Sequence, residues 1–292
     1  RMMKAKLQRL VGRIMPPAVG NLLVPLAMPV THRFLKGRLA PPATPQPNII
    51  HLTLNKAASQ NTAKILAMVL AERNYRTVWP NRYAFFSTTP YFEHTEPATI
   101  AANPIVTQPW SVFVAAIGNP IRNEALLDGT RQILAIRDPR DIVTSDYYSR
   151  LYFHPEPIAG DKTDRFRARR QHAADLGIDG YALAQAERLR EMFDAYARLA
   201  QRPTCLGVLR FEDFVDDFEN WFTQLERICG LEPSVARRAR LGPLAPQRPQ
   251  QERKTMKVRA GRSGQFRERL QPATIAALDE IFGPVLTQFA YV

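Results

Sequence analysis

The chain holds two cysteines in 292 residues, Cys205 and Cys229. Each lies in an apolar stretch and reads as a small core residue. With no C-x-x-C pair and no histidine cluster beside them, they give no metal site, and their scarcity fits a reducing compartment. No run approaches 18 consecutive apolar residues, which excludes a spanning helix. Residues 1–71 carry no Asp or Glu. No internal repeat is present. Also missing is the phosphate-loop order G-x-x-x-x-G-K-[ST].

What is there is basic. The formal net charge is +13 and the pI about 10.1, a balance that favours anionic partners: a nucleotide, an anionic glycan, a membrane surface or nucleic acid. The length suffices for one buried α/β domain with appendages. Residues 1–46 form a separate arm. Arg1, Lys4, Lys6, Arg9 and Arg13 oppose a helical face of Leu7, Leu10, Val11 and Ile14, and prolines from Pro16 onward break any long helix. The scattered basic residues do not match a cleaved signal peptide. The arm reads as lying on the domain or on an anionic membrane.

From residue 47 the pattern alternates. Strands are predicted at 49–54, 76–79, 111–117, 131–136 and 205–209. Helices are predicted at 139–153, 181–200, 217–229 and 272–289. A Pro- and aromatic-rich loop covers 80–110, a basic excursion covers 155–180, and a loop rich in Arg, Lys, Pro and Gly covers 242–264. Strands alternating with helices give an α/β fold: a P-loop-like parallel sheet flanked by helices on both faces, in a single domain over 47–292.

The chain is organised around residues 48–70, NIIHLTLNKAASQNTAKILAMVL. An apolar, β-branched run turns through Asn55, Lys56, Ala57, Ala58, Ser59, Gln60 and Asn61 into a helix with one apolar face. Strand, small-residue loop and helix make a phosphate cradle, because loop amides and the helix N-terminus point at one spot. Lys56 sits at its mouth, with Ser59 or Gln60 placed to cap the helix.

The second stretch is 134–148, LAIRDPRDIVTSDYY. Arg137 ends a strand, where open α/β sheets bind ligands. Ser145 follows on the next helix, so guanidinium and hydroxyl can grip one phosphate. Asp138 and Asp141 read as turn and cap residues. Together these stretches resemble the sulfotransferases that use 3′-phosphoadenosine 5′-phosphosulfate (PAPS), whose loop commonly reads K-x-G-[ST]-[ST] and whose second motif reads R-[DN]-P-[RK]-D followed by serine. Two later stretches are similar as well: VLRFEDF at 208–214 and VRAGRSGQF at 258–266. Ala58 stands where most members have glycine, Ala260 where they have lysine, and Gln265-Phe266 where they have D-W.

The resemblance implies sulfuryl transfer from PAPS to a hydroxyl, with an amine as the alternative acceptor group, leaving adenosine 3′,5′-bisphosphate (PAP) and needing no metal. It implies cofactor binding by residues 56–61, by Arg137 and Ser145, and by Arg259, Ala260 and Gly261. Lys56 would stabilise the leaving oxygen. The general base is not evident; His94 is the candidate carried forward, with Glu93 and Glu96 nearby, while His51 reads as a satisfied strand residue. The implied partners are the nucleotide donor, a glycan or lipid-linked acceptor and, through the arm, an anionic membrane, rather than nucleic acid; the implied location is cytoplasmic, peripheral at a membrane. Two rivals share these residues. One is a P-loop kinase or NTPase, against which the missing Walker order counts. The other is a non-catalytic anion-binding protein that retains the fold.

Overall fold

The computed structural model describes residues 29–35, 39–85, 91–94, 96, 98, 108–117, 127–154, 160–246 and 261–292. The amphipathic face at Leu7, Leu10, Val11 and Ile14, and also Arg259 and Ala260, lie outside them.

A short helix, α1 (Pro29–Leu35), precedes strand β1 (Ile49–Thr53) and helix α2 (Ser59–Ala71). Then come β2 (Arg76–Val78), α3 (Pro80–Phe85), β3 (Val112–Ile117) and β4 (Arg131–Ile136). Helix α4 (Pro139–Tyr148) runs into a π-helical turn (Ser149–Phe153). Helix α5 (Gly160–Ala200) follows, broken at Gly177, whose φ is 64°. The chain continues through β5 (Cys205–Arg210), α6 (Phe211–Asp216), α7 (Phe218–Ile228), α8 (Val235–Leu241), α9 (Phe266–Arg269) and α10 (Pro272–Gln288).

Among the described residues the strands form one parallel sheet in the order β2-β3-β1-β4-β5. Every residue of β1 is buried, as a central strand covered on both faces requires. Alternate side chains feed two cores. Ile50, Leu52 and Leu54 pack with Phe193, Tyr196, Leu278 and Phe282 of α5 and α10. On the opposite face Ile49, Phe113 and Ile133 pack with Leu66 and Val69 of α2 and with Trp221 and Phe222 of α7. Phe34 of α1 is buried in the first core, so this end of the arm packs on the sheet.

All five expected strands are present. The basic excursion differs from expectation: from Gly160 to the break at Gly177 it is helical. Its polar residues fall on an exposed helix face, while Phe166 and Ala173, seven residues apart, are buried, which is the i, i+7 spacing of one stripe. The break coincides with Gly177, whose left-handed φ costs glycine least.

The strand order sets the site. After β1 the chain moves to β2 and β3 on one side, then crosses β1 to β4 on the other. The connections leaving β1 and β4 therefore part at neighbouring strand ends, the place where open α/β sheets bind ligands.

Candidate active site

The loop after β1 is held in an uncommon backbone shape. Lys56 has φ 77° and Ala58 φ 51°, the left-handed region that L-residues rarely occupy outside functional turns. This turn aims the chain into α2, whose N-cap, Ala58, has no side-chain cap. Ser59 is already the first helical residue and is buried, so neither Ser59 nor Gln60 caps the helix. The helix start is left for an anion, which the oriented amides and dipole of a 13-residue helix favour.

Arg137 closes this loop from the neighbouring strand. Its Nη1 donates to the Lys56 carbonyl at 3.0 Å, and its Nη2 pairs with Asp141 at 3.0 Å and reaches the Arg262 carbonyl at 3.4 Å. The guanidinium lies 4.0 Å over the Phe211 ring. It is buried, and among the described residues its Nε has no partner.

The rest of the R-D-P-R-D stretch is architectural. Asp138 caps α4 by accepting from the Arg140 amide at 2.9 Å. Arg140 pairs with Asp138 at 2.7 Å and with Asp279 of α10 at 2.7 Å. Asp141 is fully buried and accepts from the amides of Gly264 and Phe266 at 2.8 and 3.0 Å, stapling the segment after Gly261 to α4. Glu212 of the VLRFEDF stretch accepts from the Asp138 amide at 3.0 Å; burial pushes its pKa up. Ser145 is half-buried on α4, and its hydroxyl makes no hydrogen bond among the described residues. His94 is exposed on a single-turn helix (Phe92–His94) and does not line the cavity described next.

Beside Lys56 a cavity of about 570 Å³, counting its open mouth, lies between the loop, α4 and α5. Its polar lining includes Lys56, Asp146, Arg150, Tyr181 and Arg188; its apolar floor is Leu54, Ile142, Val143, Leu189 and Met192. Asp146 Oδ2 accepts from Arg150 at 2.9 Å and from the Tyr181 hydroxyl at 2.5 Å. Burial works to raise the Asp146 pKa, but Arg150, Tyr181 and the charge of Lys56 outweigh it and hold the carboxyl ionised. Burial and the Asp146 charge push Tyr181 well up, so its hydroxyl stays protonated. Burial, then the charge of Lys56, lowers the His154 pKa. Sequence reasoning missed Asp146, Arg150 and Tyr181. Asp146 and Arg150 have a local signal, an i, i+4 acid–base pair, but such pairs are common on solvated helices. Tyr181 comes from 35 residues away and left no signal.

Among the described residues no group of three or more His, Cys, Asp or Glu is placed to hold a metal ion, and no helix is long and apolar enough to cross a membrane.

Fold and loop together define an α/β protein with a left-handed turn and an uncapped helix start at its sheet switch point. No family model and no curated protein sequence matches the chain. Solved structures do. A mouse sulfotransferase, SULT7A1, complexed with PAP, is 12% identical with a TM-score of 0.53 and covers 88% of this chain and 90% of its own. Retinol dehydratase with androsterone and the inactive cofactor PAP is 14% identical with a TM-score of 0.49, over 87% and 83%. Retinol dehydratase with retinol and PAP is 13% identical with a TM-score of 0.48, over 87% and 84%. The chain has the sulfotransferase fold.

Proposed function

We propose that the protein transfers the sulfuryl group of PAPS to an acceptor hydroxyl. The observation that carries this reading is the pairing of an uncapped α2 N-terminus behind Lys56 with the buried guanidinium of Arg137, whose Nε has no partner among the described residues. An anionic nucleotide with two separated phosphate groups fits this donor set. Residues 56–61 would hold the 5′ end; Arg137 and Ser145, with Arg259, Ala260 and Gly261, would hold the 3′-phosphate. PAPS supplies the activated sulfuryl group. Lys56 and the loop amides would stabilise charge on the leaving oxygen. The apolar floor and polar wall of the cavity would orient the acceptor and exclude water from it.

The acceptor hydroxyl belongs, in this reading, to a carbohydrate or glycolipid. Arg165, Arg167 and Arg169 lie exposed on the first half of α5. That helix docks on the cavity wall through Arg170, which donates to the Arg150 carbonyl at 2.9 Å. A basic helix face beside the cavity suits an anionic glycan, and the apolar floor suits a lipid-linked one. The basic arm would hold the enzyme at an anionic membrane.

Calorimetric titration with PAP and with ATP–magnesium tests the donor; preference for ATP would sink the reading in favour of a kinase or NTPase. Labelled PAPS offered to anionic oligosaccharides, a glycolipid and 4-nitrophenol tests the acceptor, and transfer to the phenol alone would overturn the carbohydrate assignment. Deleting residues 1–28 should abolish salt-sensitive binding to anionic vesicles while PAP binding persists.

A further inference from the structure

The cavity holds an ionised carboxylate opposite the loop lysine, and its geometry gives that carboxylate two different oxygens. Oδ2 of Asp146 takes both of its hydrogen bonds, from Arg150 and Tyr181. Among the described residues Oδ1 takes none, and the side chain keeps 30% of its surface exposed in the wall of the cavity. Tyr181 and Arg150 thus engage one oxygen and leave the other without a hydrogen bond among the described residues, on a carboxylate that lines the same cavity as Lys56. Both partners are themselves locked. The Arg150 guanidinium also donates to the Tyr181 hydroxyl at 2.9 Å, and its backbone carbonyl is held by Arg170.

We propose that Asp146 is the general base that takes the proton of the acceptor hydroxyl, with Tyr181 and Arg150 as its positioning residues. This rests on the transfer reading above. In the step, the acceptor oxygen forms a bond to sulfur, the bond from sulfur to the bridging phosphate oxygen breaks with its electron pair left on PAP, and the acceptor proton passes to Asp146 Oδ1. The products are the sulfate ester, PAP and, after release, one proton, so no further reactant is needed. A carboxylate held below its usual pKa is a weak base, but a loose transition state, like that of phosphoryl transfer, asks little of it. The acceptor oxygen becomes strongly acidic only as its bond to sulfur forms, and by then a weak, fully ionised base suffices. The opposite charges of Asp146 and Lys56 across one cavity divide the labour: the carboxylate meets the incoming hydroxyl and the ammonium meets the departing oxygen.

The test compares wild type, Asp146→Asn, Asp146→Ala and Tyr181→Phe, each first checked for PAP affinity by calorimetry. Affinities within about threefold of wild type show that the fold and donor site persist. PAP release from PAPS, with 4-nitrophenol and with water as acceptors, should fall 10²–10⁴-fold in Asp146→Asn, the usual range for a lost general base. Formate should restore turnover to Asp146→Ala and not to Asp146→Asn. Tyr181→Phe should lose turnover by a smaller factor. A readout without turnover is the visible absorbance of 4-nitrophenol bound to the PAP-loaded protein. It should be neutral in wild type, where Oδ1 accepts its proton in a hydrogen bond, and phenolate in Asp146→Asn, where that carboxylate charge is gone from the cavity. Turnover of Asp146→Asn within tenfold of wild type, an unchanged ionisation state of the bound phenol, or no phenol binding at all would overturn the proposal. Failure of wild type to bind PAP would instead bring down the transfer reading beneath it.

Discussion

Arg137 Nη1 donates to the main-chain carbonyl of Lys56 at 3.0 Å, so the residue leaving β4 holds the backbone of the loop leaving β1. The contact explains how Lys56 keeps a φ of 77°. Left-handed backbone costs an L-residue roughly 1–2 kcal/mol and persists where the surroundings over-determine it. Here the same guanidinium that braces the loop also pairs with Asp141, which in turn accepts from the Gly264 and Phe266 amides. One chain of hydrogen bonds joins the loop after β1 and the start of α4 to the C-terminal segment.

Asp141 is the link to cut. Asp141→Asn removes a buried charge partner of Arg137 and turns an amide N–H₂ towards backbone N–H donors. Breaking a buried pair from one side costs roughly 3–5 kcal/mol. Urea unfolding should show a loss of about that size, and hydrogen exchange at Gly264 and Phe266 should accelerate. Stability within about 0.5 kcal/mol of wild type would show that the staple carries no load.

His51 should make the fold acid-sensitive. Its ring is fully buried, Nδ1–H donates to the Ile133 carbonyl at 3.2 Å, and Nε2 has no partner among the described residues. Burial lowers its pKa from 6.5 to about 4, against the backbone hydrogen bond. The unfolded chain therefore binds the proton first as pH falls. This contribution is intact above about pH 6.5 and is lost progressively between 6.5 and 4. Linkage gives a loss of roughly 2 kcal/mol between pH 7.5 and 5 from this residue. Replacement by valine, His51→Val, should flatten that limb in urea unfolding at the two pH values; an unchanged slope would count against it.

Ala58, at φ 51°, combines a left-handed backbone with a methyl partly buried against the core under α2. Ala58→Gly relieves the left-handed cost of about 1–2 kcal/mol but frees the unfolded chain by about 0.4–1 kcal/mol. A net gain of roughly 0.5–1 kcal/mol is expected, with PAP affinity kept. Calorimetric melting checks the first and titration the second; destabilisation would mean that the packing of the Ala58 methyl against the core outweighs the strain.

The fold was legible because its signals are local. Four of the five strands hold apolar runs, β2 (Arg76, Thr77, Val78) being the exception, and the β1–loop–α2 stretch carries its own turn residues. The strand–loop–helix turn at Lys56 could be placed for the same reason. What stayed hidden depended on pairing across distance. The R-D-P-R-D stretch reads as a phosphate grip, yet Asp138, Arg140 and Asp141 spend their charges on α4, α9 and α10, contacts that span over 120 residues. The wall formed by Asp146, Arg150 and Tyr181 exists only because α5 folds back on α4. The basic stretch before Gly177 hid its helix because its two buried residues, Phe166 and Ala173, are too few to show a period against four arginines between 165 and 170.

Lys56 separates strain from chemistry, because its backbone and its ammonium can be changed independently. Lys56→Ala keeps the strained φ and removes the charge. Lys56→Gly removes both. If the side chain serves the leaving oxygen, whose charge grows only in the transition state, both variants should bind PAP within a few-fold of wild type. Both should also lose turnover by roughly 10²-fold or more, the scale of one lost oxyanion donor. Interactions confined to the transition state appear in turnover rather than in affinity. Their stabilities should diverge: relief of the left-handed φ should make the glycine variant the more stable of the two by up to about 1 kcal/mol. Arg137→Lys supplies the contrast. It keeps a charge but loses the fork that reaches the Lys56 carbonyl and Asp141, so it should weaken PAP binding by at least tenfold, about 1.4 kcal/mol. The measurements are PAP affinity by calorimetry, PAP release at saturating PAPS, and urea unfolding, all on one set of variants. Full turnover in Lys56→Ala would leave the loop with binding but no chemistry, and the non-catalytic anion-binding protein would then be the better description.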